Sequence, residues 1–348
     1  MNGNIARSDR VLTLLRAASR TFAVSIEGLP PGLREQLAVA YLLLRVSDYL
    51  EDHEGIPPTA KIPLLELWNA TLERPGTVDG FLSALAGVPR CEHDPEARVA
   101  HQCAILLDAL TGFPPPVRRT VVRHVRATTG GMARWQAERP RVETECELDD
   151  YMHHVAGIVG YLVTDLFALH FDVIRRRRDR LMPLAREFGL ALQTVNVLRG
   201  LRKDYERGWI FVPQAFCTRH GITHRDLFRA SERGRAMQVV ADLISKAEHH
   251  LQSSLAYVGL IPRRLHRVRL ACMWPLLFAA KTLAVSRDNP AVLTAEVKIG
   301  RPSVKQIIRD TTLFGWSNAW LVRYAARLLG DGTTRARWDR LADERRAG

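Results

Sequence analysis

An all-α fold is predicted, on three observations. Apolar residues recur at three- and four-residue intervals through long stretches rich in Leu, Ala and Arg, the alternation expected of strands is scarce, and Gly and Pro cluster between those stretches. With 348 residues, 47% hydrophobic and 25% charged, the chain has ample apolar material for a large core. No Gly/Ser/Pro-rich linker divides it, so one domain over 1–348 is expected, its motifs within about 15–310 and a basic C-terminal helix or tail at about 311–348.

Taken in order, the N-terminal stretch MNGNIARSDRVLTLLRAASR is too charged, and its apolar run too short, for a signal peptide. Gly28 to Gly32 then breaks the chain before LREQLAVAYLLLRVSDYLED, which reads as one helix. Gly55 to Pro58 and Pro75-Gly76 punctuate the next segments, ARVAHQCAILLDAL reads as a helix, and Gly112 to Pro116 ends it. YMHHVAGIVGYLVTDLFALHF and LALQTVNVLRGLRKDYERGWIFVP follow, the second closing at Gly208 to Pro213. ACMWPLLFAAKTLAV is apolar but interrupted by Lys281, and no stretch reaches the roughly 18 to 20 uncharged apolar residues that span a bilayer. Asn289-Pro290 and Gly300 to Pro302 are the last breaks, and about ten helices are counted by this punctuation. No internal repeat is present.

Fifty Lys and Arg against 37 Asp and Glu leave a net charge of +13, which points to an anionic partner: phosphate, diphosphate, nucleic acid or a lipid surface. The basic residues are dispersed, no reader motif is present and aromatics are 7%, so nucleic acid is set aside. Five cysteines lie singly, which indicates neither a disulfide framework nor a zinc site and suits a reducing cytoplasm.

Asp48 and Asp52 lie four apart on the predicted helix, with Glu51 beside them, and so project from one face. Such a pair suits a hard cation such as magnesium, which joins one or two carboxylates to substrate phosphates. A solvated acidic face is the alternative, but AVAYLLLRVS runs straight into the pair and places it at the end of a largely buried helix. Further on, Gln193, Asn196, Arg199 and Asp204 step along an apolar helix, where polar groups need partners.

Together these segments resemble the squalene and phytoene synthase family of head-to-head prenyl synthases. SRTFAVSIEGLP resembles the family's N-terminal motif and LLLRVSDYLED its first aspartate-rich motif. YMHHVAGIVGYLVTDLF resembles the Tyr-x-x-x-Val-Ala-Gly helix, LQTVNVLRGLRKDYERGWIFVP the second aspartate motif, and WPLLFAAKTL with VKIGRPSV the C-terminal helices. The motifs stand in the expected order from Ser19 to about Val304, and the Tyr151 helix and VKI segment lean toward the squalene branch.

The resemblance implies a class I isoprenoid synthase fold, a helical bundle around a central cavity, and a Mg²⁺-dependent (or Mn²⁺-dependent) enzyme that stabilises a departing diphosphate and keeps a carbocation dry. On it, Asp48, Asp52 and Asp204 are metal ligands. Arg20, Arg45 and Arg199 bind diphosphate, where a guanidinium fork suits the oxygens, with Lys298 and Arg301 as additions. Ser19 and Thr21 donate hydroxyls, Phe22 and Tyr41 flank prenyl tails, Val155, Ala156 and Gly157 line the tail channel, and Gln193 and Asn196 contact water or diphosphate. Tyr151 stands where the family carries a tyrosine assigned to proton loss. A phenol at its ordinary pKa of about 10 is a poor base, so it acts there through a shared proton network. His153 and His154 are adjacent and therefore not a metal pair.

One departure weighs on this. Gly200 stands where the family has an aspartate, and Lys203 where an acidic residue is usual. The metal geometry is then rebuilt with waters and diphosphate, or Asp165 lends an oxygen, or full turnover is lost; pairing with an arginine is the simpler role for Asp165. The expected activity is condensation of two farnesyl diphosphates through presqualene diphosphate toward squalene. Alternatives are phytoene synthesis or release at the cyclopropyl or hydroxylated stage, and a non-catalytic prenyl-diphosphate-binding paralogue or partner subunit. NADPH enters only if squalene is the product, and no Gly-rich dinucleotide fingerprint is present. Arg175 to Arg178 with Arg180, and the tail RARWDRLADERRAG, suggest peripheral association with an anionic membrane surface, cytoplasmic at its inner face, as a monomer or weak oligomer.

Overall fold

Helix starts follow local chemistry. Pro31, Pro58 and Pro95 stand in the first turns of Pro31–Asp52, Pro58–Glu73 and Pro95–His101, where a missing N–H is not needed. Ser19, Asp94, Thr144, Asn289 and Ser317 accept from backbone amides as N-caps, Thr144 in a reciprocal capping box with Glu147. The computed structural model describes residues 2–88, 94–138 and 141–330, the side chains of residues 2–6, Arg20 and Glu138 excepted. Among the described residues there are seventeen α-helices and no strand; Arg141 and Ile210 form an isolated bridge.

Seventeen exceeds the ten or so expected because several breaks carry neither Gly nor Pro. Ser19, Gln102 and Phe171 separate Asn2–Ala18 from Arg20–Glu27, Pro95–His101 from Cys103–Thr111, and Ile158–His170 from Asp172–Arg175. At Ser19 the backbone is extended and the hydroxyl caps the following helix, a choice that apolar periodicity does not report.

The chain divides into two compact units, Met1–Arg139 with Ile158–Asp179, and Pro140–Gly157 with Arg180–Gly348. In the first, the Pro115–Glu138 helix packs against Pro31–Asp52, Pro58–Glu73 and Ile158–His170. Its core holds Val39, Leu42, Leu43, Trp68, Phe81 and Val125, all without exposed surface. Within that core Trp68 Nε1 donates to Ser47 Oγ at 3.2 Å and Ser47 pairs with Thr129 Oγ1 at 2.7 Å, so the buried hydroxyls are satisfied. In the second unit, His266–Ser286 is the central helix, packed by Arg233–Leu260, Arg301–Phe314 and Asn318–Leu329. Among the described residues two stretches, Glu145–His170 and His266–Ser286, are long and apolar enough to cross a membrane by length and composition; 78% of the apolar window of the second is buried.

Candidate functional site

In the first unit the aspartate motif forms a charged cluster at the end of Pro31–Asp52. Arg45 stands at its centre, with Asp48 Oδ2 at 3.1 Å, Glu96 Oε1 at 3.0 Å and its Nε donating to the Tyr41 hydroxyl at 2.9 Å. Phe22 lies with its ring 5.4 Å from that of Tyr41. Burial pushes the Asp48 carboxyl up to about 7; Arg45 opposes this, and the negative charges of Glu96 and Asp52 add to it. Burial acts to lower Arg45, but Asp48, Tyr41 and Glu96 outweigh it and hold the guanidinium above its ordinary range. Asp52 is exposed, while Glu51 is turned inward and buried.

Glu96 was not among the residues expected from the motifs. It is brought in by the short helix that Asp94 caps and Pro95 begins, with Asp94 Oδ1 accepting from the Glu96 amide at 2.8 Å. Asp48, Asp52 and Glu96 carry only hard oxygen donors, the donor type that magnesium and manganese prefer. Among the described residues no group of three or more His, Cys, Asp or Glu is placed to hold a metal ion.

Ser19 spends its oxygen accepting from the Phe22 amide at 3.1 Å, which leaves its hydroxyl proton available. Thr21 is exposed beside it; the side chain of Arg20 lies outside the described residues. Asp165 is fully engaged: Arg123 and His124 reach Oδ2 at 2.7 and 2.9 Å, and Arg178 reaches Oδ1 at 2.7 Å. Burial alone favours its neutral form, but the hydrogen bonds from His124 and Arg178 prevail and hold it at about 2. It is a structural ion pair rather than a spare oxygen.

In the second unit Tyr151 is buried, its ring stacked 4.3 Å from that of Phe211, which stacks in turn on Trp209 at 5.6 Å. From His153 to Gly157 the helix widens into a π-turn, a departure that recurs at functional sites. Val155 and Ala156 are half-buried and Gly157 is buried. The small residues have a packing reason. A Cβ on Gly189 would lie 2.3 Å from the Ala156 carbonyl oxygen, and one on Gly157 would lie 2.7 Å from His153 Nδ1 and 3.2 Å from Leu190 Cδ1. His154 Nδ1 donates to the Asp150 carbonyl at 2.8 Å, and burial followed by the charges of Arg186 and His154 lowers His153.

The second aspartate motif assembles around two acids, one of them unforeseen. Glu296 binds Arg199 and, at 2.6 Å, Lys298 Nζ, so two expected diphosphate ligands meet on one carboxylate. Burial would raise Glu296, but Lys298 and Arg199 hold it below its ordinary value. Asn196 donates to Gln193 at 3.2 Å, and Arg301 is exposed at the start of Arg301–Phe314. Asp204 forms an ion pair with Arg207, and its Oδ2 lies 2.8 Å from where a Cβ on Gly200 would stand. Gly200 therefore gives Asp204 room to fold back along its own helix, while Lys203 is exposed. Asp204 is a single carboxylate already holding a cation, a poor metal site taken alone.

Known proteins resemble this chain in sequence and in fold. Schizosaccharomyces pombe squalene synthase is 29% identical over 307 residues, 86% of this chain and 64% of that protein. Homo sapiens squalene synthase is 27% identical over 301 residues, 86% of this chain and 68% of that protein. The chain thus spans about two thirds of the length of these relatives. Among solved structures, TcSQS in complex with a ligand superposes with a TM-score of 0.79 at 21% identity, covering 97% of this chain and 96% of that one. A dehydrosqualene synthase with bound ligand gives 0.65 at 19%, covering 90% and 98%. These neighbours share the all-α isoprenoid synthase fold. The profile of squalene/phytoene synthase matches residues 15–304, most of the described helices and every motif read above, so the chain belongs to the squalene/phytoene synthase family.

Proposed function

We propose that the chain is a prenyltransferase that joins two farnesyl diphosphates head to head, through presqualene diphosphate, toward squalene. The observation that carries this is the Asp48 carboxyl, pushed up to about 7 at the end of an apolar helix beside Asp52 and Glu96, with Arg45 at 3.1 Å. Clustered like charges of this kind are relieved by a divalent cation. Magnesium or manganese held by Asp48 and Asp52 supplies Lewis-acid stabilisation of diphosphate charge.

The remaining roles fall to the protein's own side chains. Arg45 and Arg199 present guanidinium forks to diphosphate oxygens, Ser19 donates its unused hydroxyl proton, and Thr21, Lys298 and Arg301 add polar contacts. Phe22 and Tyr41 give the prenyl tail an aromatic surface, as does Val155 with an aliphatic one. Tyr151, its ring fixed by Phe211, holds or passes a proton at its phenol oxygen. Gln193 and Asn196 order water or diphosphate, and Asp204 is the oxygen donor that the second motif retains. If squalene is the product, NADPH would supply the hydride that the conversion of presqualene diphosphate needs; no Gly-rich turn after a strand occurs among the described residues, and no residue is assigned to it.

A second reading, a prenyl-diphosphate-binding paralogue, is favoured by Asp204 being held by Arg207 over Gly200. Radiolabelled farnesyl and geranylgeranyl diphosphates, incubated with magnesium and with or without NADPH, separate these. Squalene from the shorter substrate supports the first proposal, and phytoene from the longer one redirects it. Presqualene diphosphate or a hydroxylated product as the sole end point shortens the sequence, and saturable binding without turnover supports the paralogue.

A further inference from the structure

Large apolar side chains are concentrated on one end of the second unit. Leu313, Phe314 and Trp316 are 58%, 49% and 54% exposed, within four residues of the turn that joins Arg301–Phe314 to Asn318–Leu329. Gly315, between the aromatics, is buried; a Cβ there would lie 2.4 Å from the Thr311 carbonyl oxygen and 2.8 Å from Met273 Cε. The turn is thus anchored by its backbone while its side chains face outward. Phe314 rests with its ring 5.8 Å from that of Trp320, which stacks 4.5 Å from Tyr324.

A second turn lies directly against it, from Ile261 to Leu265, and carries Arg263, Arg264 and nearby Arg267, all exposed. Arg269 clamps the two turns together. Its guanidinium is wholly buried and donates to the Val258 and Ile261 carbonyls at 2.8 Å, to the Gly315 carbonyl at 3.2 Å and to Asn318 Oδ1 at 2.7 Å. Asn318 closes the loop by donating to the Gly259 carbonyl at 3.3 Å, and His266 Nε2 reaches the Thr312 carbonyl at 3.2 Å. A buried cation served only by neutral acceptors is costly to maintain, and burial, then Arg263, pulls it down to about 10. Its effect is to hold three apolar side chains beside three arginines.

Neither Gly259–Arg267 nor Thr311–Asn318 contains an acid. Trp, Phe and Leu projecting from a basic rim match the interfacial region of a bilayer, where apolar bodies enter the acyl boundary and arginines meet lipid phosphates. We infer that these paired turns are a docking surface for an anionic lipid bilayer. The basic run at Arg175 to Arg178 is a weaker candidate, since Arg175 is tied to Asp172 at 2.9 Å and Arg178 to Asp165 at 2.7 Å. The sequence RARWDRLADERRAG lies outside the described residues. The inference does not depend on which prenyl product is formed, and its test involves no turnover.

The test is co-sedimentation of the full chain with vesicles of phosphatidylcholine alone and of phosphatidylcholine with phosphatidylglycerol in equal parts. Wild type is expected to bind the mixed vesicles at low salt with a blue shift in tryptophan fluorescence. The double variant Phe314→Ser/Trp316→Ser, its fold checked by circular dichroism and melting, should bind about ten-fold more weakly or worse. Arg263→Gln/Arg264→Gln/Arg267→Gln should lose the preference for anionic lipid, while Arg175→Gln/Arg176→Gln/Arg177→Gln should bind as wild type. Undiminished binding by the Phe314/Trp316 variant, or no wild-type binding at low salt, overturns the inference. So does a dimer that the same variant dissociates, which gives the face to a second copy, or loss of vesicle binding on removing 331–348 alone, which gives it to the tail.

Discussion

Asp48 and Asp165 show how the same residue type acquires opposite properties from its surroundings. Burial among like charges raises Asp48 to about 7 from an ordinary 3.8, so the folded state prefers its proton and its contribution to stability is lost as pH rises through that interval. The metal-free protein is therefore expected to lose melting temperature between about pH 4 and pH 7, less so in Asp48→Asn, and magnesium should restore it most above pH 7. Asp165 has the opposite sign: held at about 2, it stabilises above its unfolded value and loses that only in strong acid. Asp48→Asn and Asp52→Asn should each lower turnover about a hundred-fold or more with helical circular dichroism unchanged. Wild-type rates in both would remove the metal assignment. At Gly200, an aspartate must displace the Asp204 carboxylate, whose Oδ2 would lie 2.8 Å from the new Cβ. The displaced group sits at the end of a flexible side chain, so the move is cheap and leaves two carboxylates one turn apart. Gly200→Asp is expected to lower the magnesium concentration for half-maximal activity; a change in product at saturating magnesium would instead mean that the space at Gly200 shapes an intermediate.

The close crossing at Gly189, Ala156 and Gly157 belongs to the scale of whole helices. The sequence suggests that small residues at 156 and 157 admit a prenyl tail; the packing adds that Gly189 must stay small against the Ala156 backbone and that a side chain at Gly157 would press on His153 and Leu190. Gly189→Val forces a side chain into the Ala156 backbone, and a loss of about 1–3 kcal/mol or more in urea unfolding is expected. Gly157→Leu disturbs the same crossing, so it is a poor probe of substrate. Val155→Trp is better, because Val155 is only half-buried; it should reduce use of the longer diphosphate first. An unchanged chain-length profile would place the tail elsewhere. The Tyr151 helix was legible from its motif, whereas its π-turn was not, since nothing in YMHHVAG announces one extra residue per turn.

For the whole molecule, the chain passes between its compact units after Arg139, Gly157 and Asp179, so the first unit includes a segment that follows part of the second. Each unit is thus built from two separate segments of the chain. One cooperative thermal transition is expected, with calorimetric and van't Hoff enthalpies equal; two resolved transitions would show independent domains. The charge of +13 likewise gains content only in three dimensions, because many arginines are committed to internal pairs such as Arg123 and Arg178 with Asp165, or to carbonyls, as with Arg269.

By itself the sequence determined the helical class, the helix breaks marked by Gly and Pro, the family motifs and the Asp48/Asp52 pair. These are short-range matters: 3.6-residue periodicity, Gly and Pro geometry and i,i+4 spacing act between neighbours in the chain. Tertiary structure alone decided that Glu96 joins Arg45, that Glu296 joins Arg199 to Lys298, that Asp165 is spent on Arg123 and Arg178, and that Arg269 clamps two turns. Apart from Lys298, which shares its loop with Glu296, each such partner is brought from a different helix or turn, and the desolvation that raises Asp48 exists only once those elements have packed around it.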